Sequence, residues 1–202
     1  MQAKEWTDTI KKLSCIKRFS QTELAKTENV LEHTGMVALV ALHIGESLNT
    51  EGKSVNIDSL LRRALLHDIE EAELGDVARP VKYSSENMRI MFAELEGETV
   101  NSIFENAGVK DMHFWWKTAK NKGSTDGAII KYADTLCAAL KFHDEIVVRG
   151  NRSMLPLMSE NIFTALDELL YEVLCGIGGE SEVLNSYRTL NTEIQAQITG
   201  DL

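Results

Sequence analysis

Apolar residues recur every three or four positions through most of the chain, with short polar breaks rich in Gly, Asn and Ser between them. This spacing is the period of an amphipathic helix, and no segment shows the alternation of a half-buried strand. The pattern therefore predicts an all-α protein folded as a compact helical bundle. The predicted helices are Lys4–Leu13, Asn29–Leu48, Asp58–Leu74, Ser85–Asn106, Lys110–Lys120, Asp126–Val148, Ser159–Leu174 and Glu180–Gln197.

Residues typical of helix ends support these boundaries. A short polar side chain commonly precedes a helix, and a glycine commonly follows one. The sequence therefore predicts N-caps at Asp58, Ser85 and Ser159 and helix-ending glycines at Gly75, Gly108 and Gly150.

The length of 202 residues and the 44% share of apolar residues suit one globular domain with a substantial core. We expect a single domain over residues 1–202, with its core at about 13–150 and C-terminal helices at about 159–197. The C-terminal helices carry more apolar positions than one core requires, so we also expect a homo-oligomer. These positions are Ile162, Leu166, Leu169, Leu170 and Val173.

The formal net charge is −10 and no basic patch is visible, which argues against polymeric DNA or RNA as a partner. An acidic protein can still bind a small anion where a metal and a few cations are local to the pocket. The three cysteines are widely spaced, so neither a disulfide scaffold nor a zinc knuckle is expected. No secretory leader or transmembrane run is visible, and we expect a soluble, cytoplasmic protein with no membrane partner.

Two predicted helices carry a polar residue inside an apolar row. His33 continues the row of Val30 and Val37, and Asp134 lies on the apolar side of its helix. Each has an ordinary alternative interpretation. A single histidine in an apolar row is more often a satisfied core residue, and Asp134 could simply pair with Lys131.

The helix predicted at 58–74 carries three further candidate site residues, at positions 67, 68 and 71. Asp68 follows Leu61 and Leu65 at helical spacing, so it should point inward. His67 lies in the neighbouring row, and Glu71 lies one turn beyond it. Asp68 could instead form an ion pair at the helix end, with Arg62 or Arg63 as the partner. The acidic run 70–73 is interpreted as partly a solvated face, with Glu71 alone singled out by its register.

Two imidazoles and two carboxylates on separate helices can all be satisfied by one divalent cation, whereas each buried alone is costly. Two histidine nitrogens and two carboxylate oxygens favour Zn, Mn, Co or Fe over Mg or Ca. We therefore predict that His33, His67, Asp68 and Asp134 converge on one such ion. Glu71 could orient or deprotonate a water beside it.

Three stretches carry a family resemblance in their order and spacing. They resemble the HD-domain 5′-deoxynucleotidases, and the likeness extends over about residues 13–150. The resemblance implies a helical bundle of the HD-domain type, hydrolase activity in nucleotide metabolism and the same four metal ligands, with Co, Mn or Zn as the metal. The stretches are Thr27–His33 (TENVLEH), Ala64–Tyr83 (ALLHDIEEAELGDVARPVKY) and Lys131–Lys141 (KYADTLCAALK).

The same resemblance implies roles for residues around the metal. Glu71 matches the residue that positions or activates the attacking water, and Asp76 matches a position near the deoxyribose and the reaction centre. Arg18 followed by Phe19 resembles an Arg-aromatic pair in which Arg meets the phosphate and the ring packs on the sugar. Lys82 lies in a P-V-K element that lines the same cleft.

The sequence departs from the family pattern in two places. Phe19 stands where Trp is expected, and His113–Lys120 (HFWWKTAK) has no counterpart that can be placed. Both departures concern substrate choice rather than metal chemistry. Trp115 and Trp116 within the second segment could stack on a base or pack a short helix on the core or on a partner subunit.

Three functions fit these residues. The first is hydrolysis of the 5′ phosphoester of deoxynucleoside 5′-monophosphates, with a small deoxynucleotide as partner. The second, which resembles small phage relatives, is a deoxynucleoside triphosphohydrolase that acts on a substrate such as dATP and releases triphosphate, with Lys26, Arg79 or Lys120 as further cations. The third is a non-catalytic nucleotide sensor. The presence of every metal ligand and of Glu71 favours an enzyme.

Overall fold

A computed structural model describes residues 2–121, 123–158 and 161–200 and confirms the all-helical class. Within these ranges extended backbone pairs at one place, an isolated antiparallel bridge between Lys17 and Asn29. The α-helices are α1 (Gln2–Cys15), α2 (Val30–Thr50), α3 (Ile57–Leu66), α4 (Glu71–Leu74), α5 (Arg79–Lys82), α6 (Glu86–Ala107), α7 (Met112–Ala119), α8 (Thr125–His143), α9 (Ile162–Ile177) and α10 (Glu182–Gly200).

The helix predicted over 58–74 is wrong as one element, because the chain forms α3 and α4 with a turn at residues 67–70 between them. The backbone N–H of Glu71 donates to the carbonyl of Asp68 at 3.1 Å, three residues back, so the chain winds more tightly there than an α-helix. Leu65, expected to point inward, is 53% exposed. Gly75, with φ of +73°, ends α4 as predicted.

Two other predicted helix ends also differ from the structure. The N-cap of α3 is Asn56, whose side chain accepts a hydrogen bond from the Ser59 N–H at 3.0 Å, so the prediction of Asp58 was wrong. The helix predicted over 126–148 changes at Asp144 into a π-helical turn that runs to Val148.

The remaining predicted caps have separate outcomes. Ser85 caps α6 and Gly108 ends it, as expected. Gly150 has φ of +67° and follows the π-helical turn by two residues. The cap predicted at Ser159 lies outside the described residues.

A large apolar core packs α2, α3, α8, α9 and α10 together. Gly45 on α2 permits the close approach of α3, since a Cβ there would lie 2.8 Å from side-chain carbons of Ile57 and Leu60. A second, smaller cluster packs α1 and α6 beside the turn at 67–70 and includes the buried Trp116. The turn and the facing sides of α2 and α8 therefore meet between the two apolar clusters.

The apolar rows of α9 are used within the chain itself. Ile162, Leu166, Leu169, Leu170 and Val173 are all buried in the large core. These positions therefore leave no surplus apolar surface, and the reason given above for expecting a homo-oligomer was wrong. The oligomeric state itself stays a prediction. Among the described helices, none combines the length and apolarity needed to span a bilayer.

Candidate active site

The four predicted metal ligands lie together where α2, α8 and the turn after α3 meet. The Nε2 atom of His33 is 3.1 Å from Oδ1 of Asp134 and 3.8 Å from Oδ2 of Asp68. The Nε2 atom of His67 is 3.0 Å from the same oxygen of Asp68. Candidate ligand atoms of His33, His67 and Asp134 all lie within 4.8 Å of one another. Residues up to 101 positions apart thus converge on one small volume.

The orientation of His67 suits metal binding. Its Nδ1 lies 2.8 Å from the carbonyl oxygen of Ala64, and because a carbonyl can only accept, Nδ1 carries the proton. Its Nε2 faces the cluster, 3.0 Å from Oδ2 of Asp68 though outside hydrogen-bond geometry, and becomes a ligand when a cation takes the place of its proton. A backbone carbonyl that fixes the tautomer in this way is a common support of a metal-binding histidine.

The electrostatics of the cluster favour a positive charge. Burial lowers the pKa of His67, but the carboxylates of Asp68 and Asp134 outweigh it and raise that pKa to about 9. The pKa values of both carboxyl groups are lowered, against the effect of burial, by the neighbouring positive charges. Two ionised carboxylates beside two imidazoles therefore form a donor set that fits a divalent cation.

The alternative ion pairs considered for these acids have different outcomes. Arg62 and Arg63 bind other carboxylates, at 2.8 and 2.9 Å, so neither is the partner of Asp68. Lys131 does pair with Asp134, at 2.6 Å, through Oδ2. Because Oδ1 of the same carboxylate faces His33, the ion pair fixes the carboxylate without removing it from the cluster.

Glu28 is a neighbour of the cluster that the sequence analysis did not single out. Its Oε1 lies 3.9 Å from Nδ1 of His33 and 3.3 Å from Nη1 of Arg18. At that distance Glu28 lies beside the imidazole without a hydrogen bond to it, since Nδ1 of His33 has no hydrogen-bond partner among the described residues. Glu28 lies within the TENVLEH stretch, which was the one sequence feature that could have indicated a role in the site. Its spacing along the chain did not distinguish it from an exposed surface residue.

Glu71 is buried, with 7% of its surface exposed. Burial raises its pKa to about 10, the charges of Asp68 and Asp76 act in the same direction, and Lys82 opposes them. A bound cation acts against such carboxylate repulsion and favours the ionised form. The protonation state of Glu71 therefore depends on the charges around it. This is the property that a general acid–base residue requires.

Arg18 and Phe19 lie on the loop between α1 and α2. Phe19 adopts φ of +54°, a left-handed conformation that costs a non-glycine residue about 1 kcal/mol. Its N–H donates to Oδ2 of Asp76 at 2.9 Å, and its ring packs on Phe142 with centroids 5.6 Å apart. The guanidinium of Arg18 lies 5.4 Å from the Phe19 ring centroid. Asp76 therefore connects this loop to the segment after α4.

Lys82 and Trp116 are also held by contacts with acidic residues. Lys82 pairs with Glu96 at 3.1 Å. Trp116 is buried and donates to Oε2 of Glu70 at 2.7 Å, so its ring is packed inside the fold. Glu70 itself is 1% exposed, and its assignment to a solvated face was wrong. Its partners come from α7 and the residue after it, and no local pattern near Glu70 could indicate them.

Comparison with known proteins identifies the family. The model of the YfbR-like family, described as 5′-deoxynucleotidase YfbR-like, matches residues 5–173. The chain belongs to the YfbR-like family. The 5′-deoxynucleotidase YfbR of Escherichia coli O1:K1 / APEC is 29% identical, and the match covers 72% of this chain and 75% of the relative.

Solved structures share the fold of this YfbR-like protein. An HD-domain phosphohydrolase from Listeria innocua matches with a TM-score of 0.71 and 23% identity, covering 96% of this chain and 98% of that one. The cyanophage S-2L HD phosphohydrolase DatZ, solved with dA and one catalytic Zn²⁺ ion, matches with a TM-score of 0.54 and 16% identity over 96% of each chain. Family membership and fold together identify this YfbR-like protein as a hydrolase.

In this YfbR-like protein, Glu145 of the π-helical turn holds the loop that follows Arg18 and Phe19. Its fully buried carboxylate accepts from the N–H groups of Ala25 and Lys26 at 2.7 and 3.0 Å. It also accepts from Lys141 at 2.6 Å and from Asn151 at 2.7 Å. Burial raises the pKa of Glu145, but these hydrogen bonds outweigh it and lower the pKa to about 2.

Replacing Glu145 with glutamine is expected to destabilise the YfbR-like fold in a pH-dependent way. The carboxyl pKa falls from 4.5 to about 2 on folding, so ionisation contributes about 3 kcal/mol above pH 4.5. This contribution is lost as the pH falls through the folded-state value. Urea unfolding should therefore show a large difference from wild type at pH 7 that shrinks towards pH 3. Exposed Glu168→Gln is the control, and an equal difference at both pH values would contradict the expectation.

Proposed function

We propose that this protein is a metal-dependent 5′-deoxynucleotidase that converts deoxynucleoside 5′-monophosphates to deoxynucleosides and phosphate. The observation that carries the proposal is the convergence of two imidazoles and two carboxylates beside the buried Glu71. The name of the E. coli relative supports the substrate class. The dA and Zn²⁺ bound to the cyanophage protein support a deoxynucleotide and a divalent metal.

In this proposal His33, His67, Asp68 and Asp134 hold one Co, Mn or Zn ion. The position of the His67 Nε2, which faces the other three donors, and the charge balance of the cluster support that assignment. When bound, the ion supplies Lewis acidity that activates water and offsets negative charge on the phosphoryl group.

The chain's own groups carry the remaining steps. Glu71 orients the attacking water and accepts its proton as the new oxygen–phosphorus bond forms. Arg18 and Lys82 take up negative charge on the phosphoryl oxygens. The bond between phosphorus and the 5′ oxygen breaks, that oxygen takes a proton from solvent as the deoxynucleoside leaves, and Glu71 returns its proton to solvent.

Phe19 and Asp76 form the sugar side of the proposed site. The hydrogen bond from the Phe19 N–H to Asp76 fixes the backbone that carries the ring, and the ring packs on Phe142. A ring held in this way can pack on the deoxyribose. The second carboxylate oxygen of Asp76 is then available to a sugar hydroxyl.

Phosphate release from a substrate panel tests this function. The purified protein is assayed with each deoxynucleoside 5′-monophosphate and its ribose counterpart in Co, Mn or Zn. Metal-dependent release of inorganic phosphate from at least one deoxynucleotide is expected. A complete absence of release from all of them would contradict the proposal.

A second candidate is a deoxynucleoside triphosphohydrolase with the same site. Lys26 favours it, because this exposed residue lies on the same loop as Arg18 and its N–H donates to Glu145. Lys120, however, is already paired with Glu70 and Glu96. Chromatography of a dATP digest separates the two functions: deoxyadenosine with triphosphate supports this candidate, and unreacted dATP excludes it.

A further inference from the structure

A row of alternating charges connects α7 to the proposed catalytic acid. The buried carboxylate of Glu70 accepts from the indole Nε1 of Trp116 at 2.7 Å and pairs with Lys120 through its other oxygen. Lys120 also donates to Glu96 at 2.8 Å, and Glu96 pairs with Lys82 at 3.1 Å. The amine of Lys120 lies 4.7 Å from the centroid of the Trp116 ring. The network joins α7, α6, α5 and the turn after α3.

Burying a carboxylate such as Glu70 costs desolvation free energy, so an ion pair is not needed merely to hold a helix in place. An apolar contact of similar volume is often equally stabilising or better, because it avoids desolvating charge. A fully satisfied polar network does fix geometry, since each member has few acceptable arrangements. Both oxygens of Glu70 are occupied, so this network restricts the turn that carries it.

One end of the network adjoins a residue of the proposed reaction, and the other end is such a residue. Glu70 directly precedes Glu71 in the tight turn at 67–70 and the first turn of α4. At the other end, Glu96 holds Lys82, whose charge acts on Glu71. A shift in Glu70 or Glu96 would therefore move the proposed proton acceptor or the cation that faces it.

We propose that Trp116 and Lys120 are positioning residues of the active site, which act through Glu70 and Glu96 on Glu71 and Lys82. This inference rests on the proposed function, because it assigns a role within that reaction. It also gives Trp116 and Lys120 a role in catalytic geometry, in place of base stacking by Trp116.

Two substitutions with matched controls test the inference. Trp116→Phe keeps a ring but removes the indole donor, and Lys120→Met keeps the length but removes the charge. The controls are Trp6→Phe on α1, whose ring packs on Phe104, and Lys117→Met on α7, which make the same changes outside the network. Both test variants should lower kcat about tenfold, as partners of catalytic groups commonly do, with Co²⁺ stoichiometry unchanged. Lys120→Arg should recover part of the loss, and both controls should stay within about twofold of wild type.

A double-mutant cycle with Glu71→Gln distinguishes positioning from general stability. If Trp116 acts through Glu71, Trp116→Phe should reduce kcat much less when Glu71 is already glutamine. The same cycle with Lys120→Met serves if Trp116→Phe fails to fold. Equal fold-losses in both backgrounds, with an active wild type, would overturn this inference alone. A wild type that releases no phosphate from any deoxynucleotide would overturn the proposed function as well.

Discussion

Replacing Asp68 with alanine is expected to abolish turnover. Oδ2 of Asp68 lies 3.0 Å from His67 and 3.8 Å from His33, so this carboxylate connects the two imidazoles. Even residues that only orient a metal ligand contribute about 10- to 100-fold. Loss of a ligand itself should therefore lower kcat/KM more than about 100-fold, measured as phosphate release from the best substrate of the panel.

The control for this prediction is Asp58→Ala. Asp58 is exposed on α3 and pairs with Arg62 at 2.8 Å, so its removal changes the same charge without touching the cluster. Circular dichroism should show that both variants keep their helices. Activity that survives in the Asp68 variant would contradict the metal-centred reaction, whereas a wild type that binds nucleotide without turnover would favour the sensor.

Replacing Glu71 with glutamine should lower kcat by about 100- to 10,000-fold, the range of a general acid–base residue. The substitution keeps the side-chain shape but removes the group that accepts the proton. Because the pKa of Glu71 is raised from 4.5 to about 10, this carboxyl must take up a proton when the chain folds at pH 7, which destabilises the fold. The variant should therefore unfold at the same or a higher temperature while losing activity.

The matched control is Glu73→Gln, two residues further along α4. Glu73 is exposed and pairs with Lys12 at 2.6 Å. It should retain wild-type kcat and KM. If Glu71→Gln were as active as Glu73→Gln, a different group would have to accept the proton, and the role given to Glu71 would be wrong.

Helical periodicity predicted His33 and Asp134 for sound physical reasons. Both lie within helices that continue well beyond them, so their register relative to the apolar rows is preserved in the fold. His33 is 1% exposed, as its row requires. A pattern that is local to one helix is enough to place such a side chain.

Asp68 lies in the predicted site, but for a different structural reason. Its register with Leu65 predicted an inward position, yet Leu65 is exposed and α3 ends at Leu66. The turn at 67–70, and not a helical row, directs Asp68 towards His33. The HD stretch of the family resemblance was therefore the better evidence, because it depends on spacing and not on one continuous helix.

Glu70 and Glu145 show what the sequence could not reveal. Both were ordinary acidic residues in helical segments, and both are almost fully buried. Glu70 is satisfied by Trp116, 46 residues away. Glu145 is satisfied by the N–H of Ala25, 120 residues away, as well as by its local partner Lys141. The spacing of Lys141 and Glu145 is also that of an exposed helical ion pair, so only the packing of the helices shows that both acids are satisfied inside the fold.

Cobalt titration of the metal-free protein tests the central claim most directly, because the visible spectrum of Co²⁺ reports its ligands independently of any substrate. We expect saturable binding of one Co²⁺ per chain in wild type, with binding lost or greatly weakened in both His67→Ala and Asp68→Ala. Absence of saturable binding, or an unchanged titration in those two variants, would contradict a centre formed by His33, His67, Asp68 and Asp134.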